Sequence, residues 1–181
     1  VEEELMRPAE LSRALRQGRG TFLQRRRAVV GLSLVTIGSM AMVSLYQMGM
    51  IKHLPEPALP YLDADKVDAS DEAYEKLATP DGLLGPANFG VTAVLAGMGP
   101  PERAETQPWI PLALAAKVAV DTVQSGQLTV DQWVRHRAFC SWCLLASAAT
   151  FAQVPLVIPE TRAALRRLRQ GRWGVQQIIK G

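Results

Sequence analysis

Cys140 and Cys143 are the two cysteines of this 181-residue chain, separated by Ser141 and Trp142. Two intervening residues let a pair of sulfurs close into a strained, readily exchanged disulfide, and on a helix residues three apart share a face. Two cysteines exclude a disulfide framework, and their short gap favours thiol chemistry over stapling. Thiolate is the attacking species in that chemistry, and nearby cations favour it. Arg135, His136 and Arg137 lie just upstream, so positive charge is expected beside the first sulfur, with His136 one turn before it. Other readings of the pair are packed small apolar side chains or half a metal site. His53 and His136 are the only histidines that could complete four ligands, and His53 lies across the first loop; no metal is therefore assigned.

The elements that must position this pair read as membrane helices. The composition, 48% hydrophobic and 20% charged, averages to that of a soluble protein, but the charges sit in blocks at the two ends and in an acidic stretch over 56–81. The segments between are nearly free of charge, the distribution that a bilayer imposes. Four spans are predicted, over residues 28–51, 83–98, 109–123 and 133–158, the last with both cysteines near its beginning. The fold class expected is all-α, an integral membrane four-helix bundle with an acidic extramembrane loop between spans 1 and 2.

Several local features refine this picture. A short surface helix is expected within the first 24 residues. Gly31 and Gly38 in the first span, and Gly85, Gly90, Gly97 and Gly99 in or just after the second, suggest close helix contacts. Asp81 is expected to cap the second span, and a short loop helix is expected over 68–77, capped by Asp68 or Ser70. That loop reads either as an acidic solvated face or as a cap over the cysteines. Lys117 and Asp121, four apart in the third span, suit a structural ion pair or a proton path. Pro155 and Pro159 are expected to loosen or end the fourth span.

A sequence pI of about 9.1 would suit nucleic acid, but Arg25, Arg26 and Arg27 directly precede one apolar segment and Arg162, Arg166, Arg167 and Arg169 follow another. Such flanks fit membrane lipid and topology instead, so no nucleic acid is expected. The domain organisation is read as a basic cytoplasmic arm over 1–27, a four-span domain over 28–158 and a basic cytoplasmic tail over 159–181. Both termini would then lie inside a bacterial-type inner membrane, with the C-x-x-C near the outer face.

A dithiol in a bilayer exchanges electrons most readily with a lipid-soluble quinone, whose pocket needs apolar walls, an aromatic ring or two and polar groups at the carbonyls. Phe89, Phe139 and Trp142 are candidate rings; Asp81, Asn88 and Ser147 are candidate polar contacts.

Taken together, Ala138-Phe139-Cys140-Ser141-Trp142-Cys143 at the start of the last span and Pro80-Asp81-Gly82-Leu83-Leu84-Gly85 leading to Phe89 resemble the vitamin K epoxide reductase family. The resemblance implies a four-helix bundle around a quinone of the ubiquinone or menaquinone class. It implies Cys143 as the quinone-side thiol, Cys140 as the exchange partner of an external thioredoxin-like protein, and Asp81 and Phe89 near the quinone. Family members typically carry a second cysteine pair in the first outer loop; its later cysteine would fall roughly at Asp65, and Ser147 stands where a tyrosine is often found. An intramolecular relay is thus excluded. The leading expectation is a quinone-linked thiol oxidoreductase; the alternative is a non-catalytic accessory subunit of a larger membrane complex.

Overall fold

The computed structural model describes the backbone of residues 7–74 and 79–179. Regular structure there is helical: α1 (Pro8–Gln17), α2 (Thr21–Gln47), α3 (Ala64–Asp68), α4 (Asp81–Gly97), α5 (Arg103–Thr106), α6 (Trp109–Asp131) and α7 (Ser141–Ile179). A lone parallel bridge joins Leu62 to Phe139. α1 buries none of its residues, as expected of a surface helix.

The four long helices neighbour one another in a ring: α2 packs on α4 and α7, and α6 packs on α7 and α4. Val29, Ala96, Leu114, Val118 and Val157, drawn from all four, form one core cluster. A second, at the other end of α2, joins Val43 to Leu54, Ala64, Val67, Ala138 and Cys140. Ser39 fastens α2 to α7 at that end, its hydroxyl donating to the Trp142 carbonyl at 2.6 Å. Two helical segments, Phe22–Gln47 and Ser141–Gln170, are long and apolar enough to cross a bilayer. Large apolar side chains on all four long helices face outward, among them Leu34, Val91, Val123 and Phe151.

Several expectations need correction. The third long helix runs on to Asp131 and continues into a π-helical turn, Gln132–His136. Trp133 therefore ends that hairpin arm instead of starting the fourth helix, and the chain reverses through Arg137 in the left-handed region (φ 51°). Pro155 and Pro159 do not end α7, which continues through both. Just beyond them the Thr161 hydroxyl reaches the Val157 carbonyl of the same helix and the Pro111 carbonyl of α6. Asp81 is the first residue of α4 and not its cap, because its carboxylate is taken by Gln47 Nε2 at 2.7 Å. The loop carries two short helical pieces: α3, which Asp63 caps by accepting from the Lys66 amide, and a 3-10 turn over Asp71–Tyr74 that follows Ser70 within the expected range. The end of the span expected over 68–77 falls outside the described residues.

Among the glycines, a Cβ on Gly82 or Gly85 would strike Gln47 and Ser44 or Met40, so close packing of α4 on α2 requires them. Gly99 is held in the left-handed region (φ 82°) beside Ile110 and Arg103. Gly31, Gly38, Gly90 and Gly97 have open space around the Cβ position and do not serve close contacts within the chain.

The end of the bundle away from the cysteines is tied by two arginines. Arg26 donates to the carbonyls of Ala96, Gly97, Met98, Gly99 and Pro100, completing the C-terminus of α4 where carbonyls lack helical partners. Arg103 donates to the carbonyls of Leu95, Ala96 and Met98 and pairs with Glu160 of α7.

Candidate functional site

Cys140 immediately precedes the first residue of α7, so it holds the N-cap position instead of a place one turn inside the helix. Its Sγ accepts from the Cys143 amide at 3.2 Å, the bond that an N-cap side chain makes to the third helical residue. The sulfurs thus approach through the cap geometry, and both cysteines are free thiols. Gln132 Oε1 accepts from the Cys140 amide at 3.1 Å, so the π-helical turn fixes the start of α7.

The loop from Leu54 to Tyr74 covers this end, burying Ala64, Val67 and Asp68 while Asp63 and Asp71 stay exposed. Asp65 ties its start, accepting from the Leu54 amide at 2.8 Å and pairing with His53 at 2.7 Å. Glu56 accepts from the Ala64 amide and the Ser141 amide, joining loop to α7. Phe139 donates its amide to the Tyr61 carbonyl at 2.7 Å, and its carbonyl accepts from the Asp63 amide at 3.0 Å. Trp133 then stacks on Phe139 at 5.5 Å, meets Tyr61 edge-on at 5.6 Å and carries the Arg137 guanidinium over its ring. Tyr61 and Arg137 both take positive φ, the backbone cost of bringing these two reversals together. Behind this latch Cys140 is fully buried.

A cavity of about 420 Å³ opens on the other side of the sulfurs, within the range of small-molecule sites. Its lining includes Cys143, Asp81, Phe89, Asn88 and Ser147, together with Asp68, which comes from the loop. Five of the candidate site residues therefore share one cavity: Asp81, Asn88, Phe89, Cys143 and Ser147. Phe139 and Trp142 do not line it. Phe139 is turned into the aromatic latch, and Trp142 donates its indole N–H to the Pro55 carbonyl at 2.9 Å, packing against the Val43 cluster.

Charge around the sulfurs differs from the sequence expectation. Arg137 is engaged by Trp133, and Arg135 and His136 border the cavity. The charged group set against the sulfurs is a carboxylate: Cys143 Sγ lies 3.6 Å from Asp68 Oδ1. The two sulfurs and a carboxylate oxygen of Asp68 fall within 4.8 Å of one another. Burial pushes the Asp68 carboxyl up to about 6, with repulsion from Asp81 and Glu56 adding to it and hydrogen bonds from Cys140 and Cys143 working against it. On the opposite wall Asp121 accepts from Lys117, Asn88 and Thr92, a satisfied ion pair that joins α6 to α4.

Gln47, Glu56 and Gln132 are site residues that the sequence does not single out, and Asp68, expected as a helix cap, instead ends α3 and faces the sulfurs. Asp68 is one acid in a loop full of acids, and the two glutamines act through contacts more than 30 and 8 positions away along the chain, Gln47 to Gly82 and Gln132 to Cys140.

The sequence profile of the vitamin K epoxide reductase family matches residues 27–158. The chain belongs to that family. The vitamin K epoxide reductase family comprises membrane quinone-linked thiol–disulfide oxidoreductases, and the matched region spans α2 to the proline-containing part of α7, with the latch and cavity inside it. Comparison with curated proteins and with solved structures gave no match.

Proposed function

We propose that this vitamin K epoxide reductase family member is a quinone-linked thiol–disulfide oxidoreductase whose redox centre is Cys140–Cys143. The observation that carries the reading is the position of Cys143 on the cavity wall with Cys140 enclosed directly behind it. One thiol is thereby offered to a cavity of mixed apolar and polar wall, and the other to the protein side.

The residues present suit a quinone ring. Phe89 and Leu84 supply apolar wall, and Asp81, Asn88 and Ser147 supply polar groups at separate points of the lining. When bound, a quinone of the ubiquinone or menaquinone class supplies a two-electron, two-proton acceptor. The chain's own part is to hold the sulfurs in place through Gln132 and Ser39, to orient α4 through the Gln47 contacts to Asp81 and Gly82, and to keep bulk water from Cys140 with the loop. An external thioredoxin-like protein exchanges with Cys140 once the latch opens.

The outward apolar faces of α2, α4, α6 and α7 support four membrane crossings. With basic segments before α2 and after the apolar part of α7, both termini lie on the cytoplasmic side and the cysteines near the outer face of a bacterial-type inner membrane. A non-catalytic accessory subunit of a membrane complex is the second reading, favoured by the lack of a cysteine pair in the loop before α4.

Quinone-dependent oxidation of a dithiol by the purified protein in lipid discriminates them. Turnover is expected in the wild type and is expected to vanish in Cys140→Ser and in Cys143→Ser; full activity in either variant rejects the enzyme reading.

A further inference from the structure

We propose that Asp68 is the catalytic proton acceptor of the dithiol: its carboxylate takes the thiol proton of Cys143 as the disulfide forms and releases it into the cavity. The proposal rests on the quinone-linked reading above.

Position carries the case. Asp68 Oδ1 is the acceptor 3.6 Å from Cys143 Sγ, and its carboxylate lies within 4.8 Å of the Cys140 sulfur as well. The side chain is 4% exposed and lines the cavity, yet Oδ2 has no hydrogen-bond partner among the described residues. An unpaired buried carboxylate oxygen is costly unless a function needs it. Its loop neighbours are used differently: Asp63 caps α3, and Asp65 is bonded to the Leu54 amide and His53. Those acids hold the loop together, whereas Asp68 meets a thiol. Asp81, the other nearby carboxylate, is already bound by Gln47.

The chemistry requires such a group. Forming the Cys140–Cys143 bond breaks two S–H bonds, makes one S–S bond and releases two electrons and two protons, the complement that turns a quinone into a hydroquinone. The electrons leave through Cys143; its proton needs an acceptor, and Asp68 is the carboxylate set against that sulfur. Asp68 takes it, and the second proton, from Cys140, follows by the same carboxylate once the first has left. In the opposite direction the protonated carboxyl returns protons to the sulfurs.

A base works best when it titrates near the working pH, and burial raises Asp68 to about 6. The titratable groups facing it are Cys140 and Cys143 on α7, Asp81 on α4, Glu56 in the loop and Tyr46 on α2. Asp131, Arg135 and His136 border the same cavity, and Asp121 is held by Lys117.

Two measurements on the full chain in lipid test this. In infrared difference spectra between the dithiol and disulfide forms, recorded with no quinone added, a protonated-carboxyl stretch is expected that shifts in heavy water and is missing from Asp68→Asn. A wild type without that signal, or an Asp68→Asn variant that keeps it, overturns the proposal. In single-turnover oxidation of the reduced protein by a short-chain ubiquinone analogue, the wild-type rate is expected to level off above about pH 6 and to fall about tenfold per unit below it. Asp68→Asn is expected to be slower by roughly 10²-fold and to lose the level region, and Asp68→Glu to regain it. A variant that is slower but keeps the wild-type profile has lost structure alone and overturns the proposal. A wild type that reduces no quinone overturns the enzyme reading together with the proposal, whereas an active wild type matched by Asp68→Asn overturns the proposal only.

Discussion

The Arg103 guanidinium and the Glu160 carboxylate meet in two hydrogen bonds, Nε to Oε1 at 2.8 Å and Nη2 to Oε2 at 2.9 Å, with side chains 0% and 5% exposed. Removing one partner of a buried, two-pronged pair strands the other charge, at a cost of about 3–5 kcal/mol. Glu160→Gln is expected to lower the thermal midpoint sharply in mild detergent. Arg103→Lys is not expected to be neutral, because an ammonium cannot reproduce the fork that also reaches three α4 carbonyls. An unchanged midpoint in both variants would count against a structural role for the pair.

Gly82 sets the distance between α2 and α4. A Cβ there would stand 2.6 Å from Gln47 Oε1 and 2.9 Å from the Ser44 backbone nitrogen, so Gly82→Ala must push the helices apart. A loss of about 1–3 kcal/mol is expected from overpacking. Because Gln47 also holds Asp81, weaker quinone binding, read as a raised KM, should accompany it. Gly90→Ala, with open space around its Cβ position, serves as the control and should leave both quantities near wild type.

Asp68 gives stability a definite pH sign. Its folded-state value is raised from 3.8 to about 6, so the folded chain holds the proton more tightly than the unfolded chain. The associated stabilisation is full below about pH 4 and is lost as pH rises through about 6, amounting to about 3 kcal/mol if this group acts alone. The thermal midpoint of the wild type minus that of Asp68→Asn, followed across this window, should fall with rising pH. A difference that stays level or climbs would contradict the assignment.

The aromatic latch governs access to Cys140. Trp133 contacts both Phe139 and Tyr61, and aromatic pairs are worth about 0.5–1.5 kcal/mol each beyond their buried area. Trp133→Ala should therefore raise the population of the open loop roughly tenfold. Alkylation of Cys140 in a Cys143→Ser background, followed by mass spectrometry, would report it; equal rates with and without Trp133 would show that the backbone pairing alone closes the loop.

The long apolar segments, the C-x-x-C and five of the cavity residues were legible because each rests on local spacing or composition. Hydrophobic runs mark α2 and α7 directly, and the Pro80-Asp81-Gly82 opening marks the start of α4. What escaped was whatever depends on contacts far apart in sequence. Residues 133–136 read as the start of a span because nothing local announces a π-helical turn and a left-handed Arg137. Pro155 and Pro159 read as loosening or ending the span because a proline's lost amide is local, whereas the packing of Val157 against the other helices is not. Phe139 and Trp142 flank the cysteines in sequence, but the reversal at Arg137 sends one ring to Trp133 and the other to Pro55. Asp68 was visible only as a candidate helix cap among other acids, since its place beside a sulfur is a product of the loop's path.

The five carbonyls gathered by Arg26 make α4 an unevenly anchored rod. Its far end is gripped by a guanidinium, whose forked, permanently charged donors do not let go within any ordinary pH range. At the end beside the cavity the first turn is held to α2 by the side-chain amide of Gln47, through Asp81 and the Gly82 amide. Mobility needed to admit or discharge a ring can thus be confined to one extremity, so amide hydrogen exchange along α4 should form a gradient, quickest near Gly85 and slowest near Ala96, with the remainder of the bundle left undisturbed.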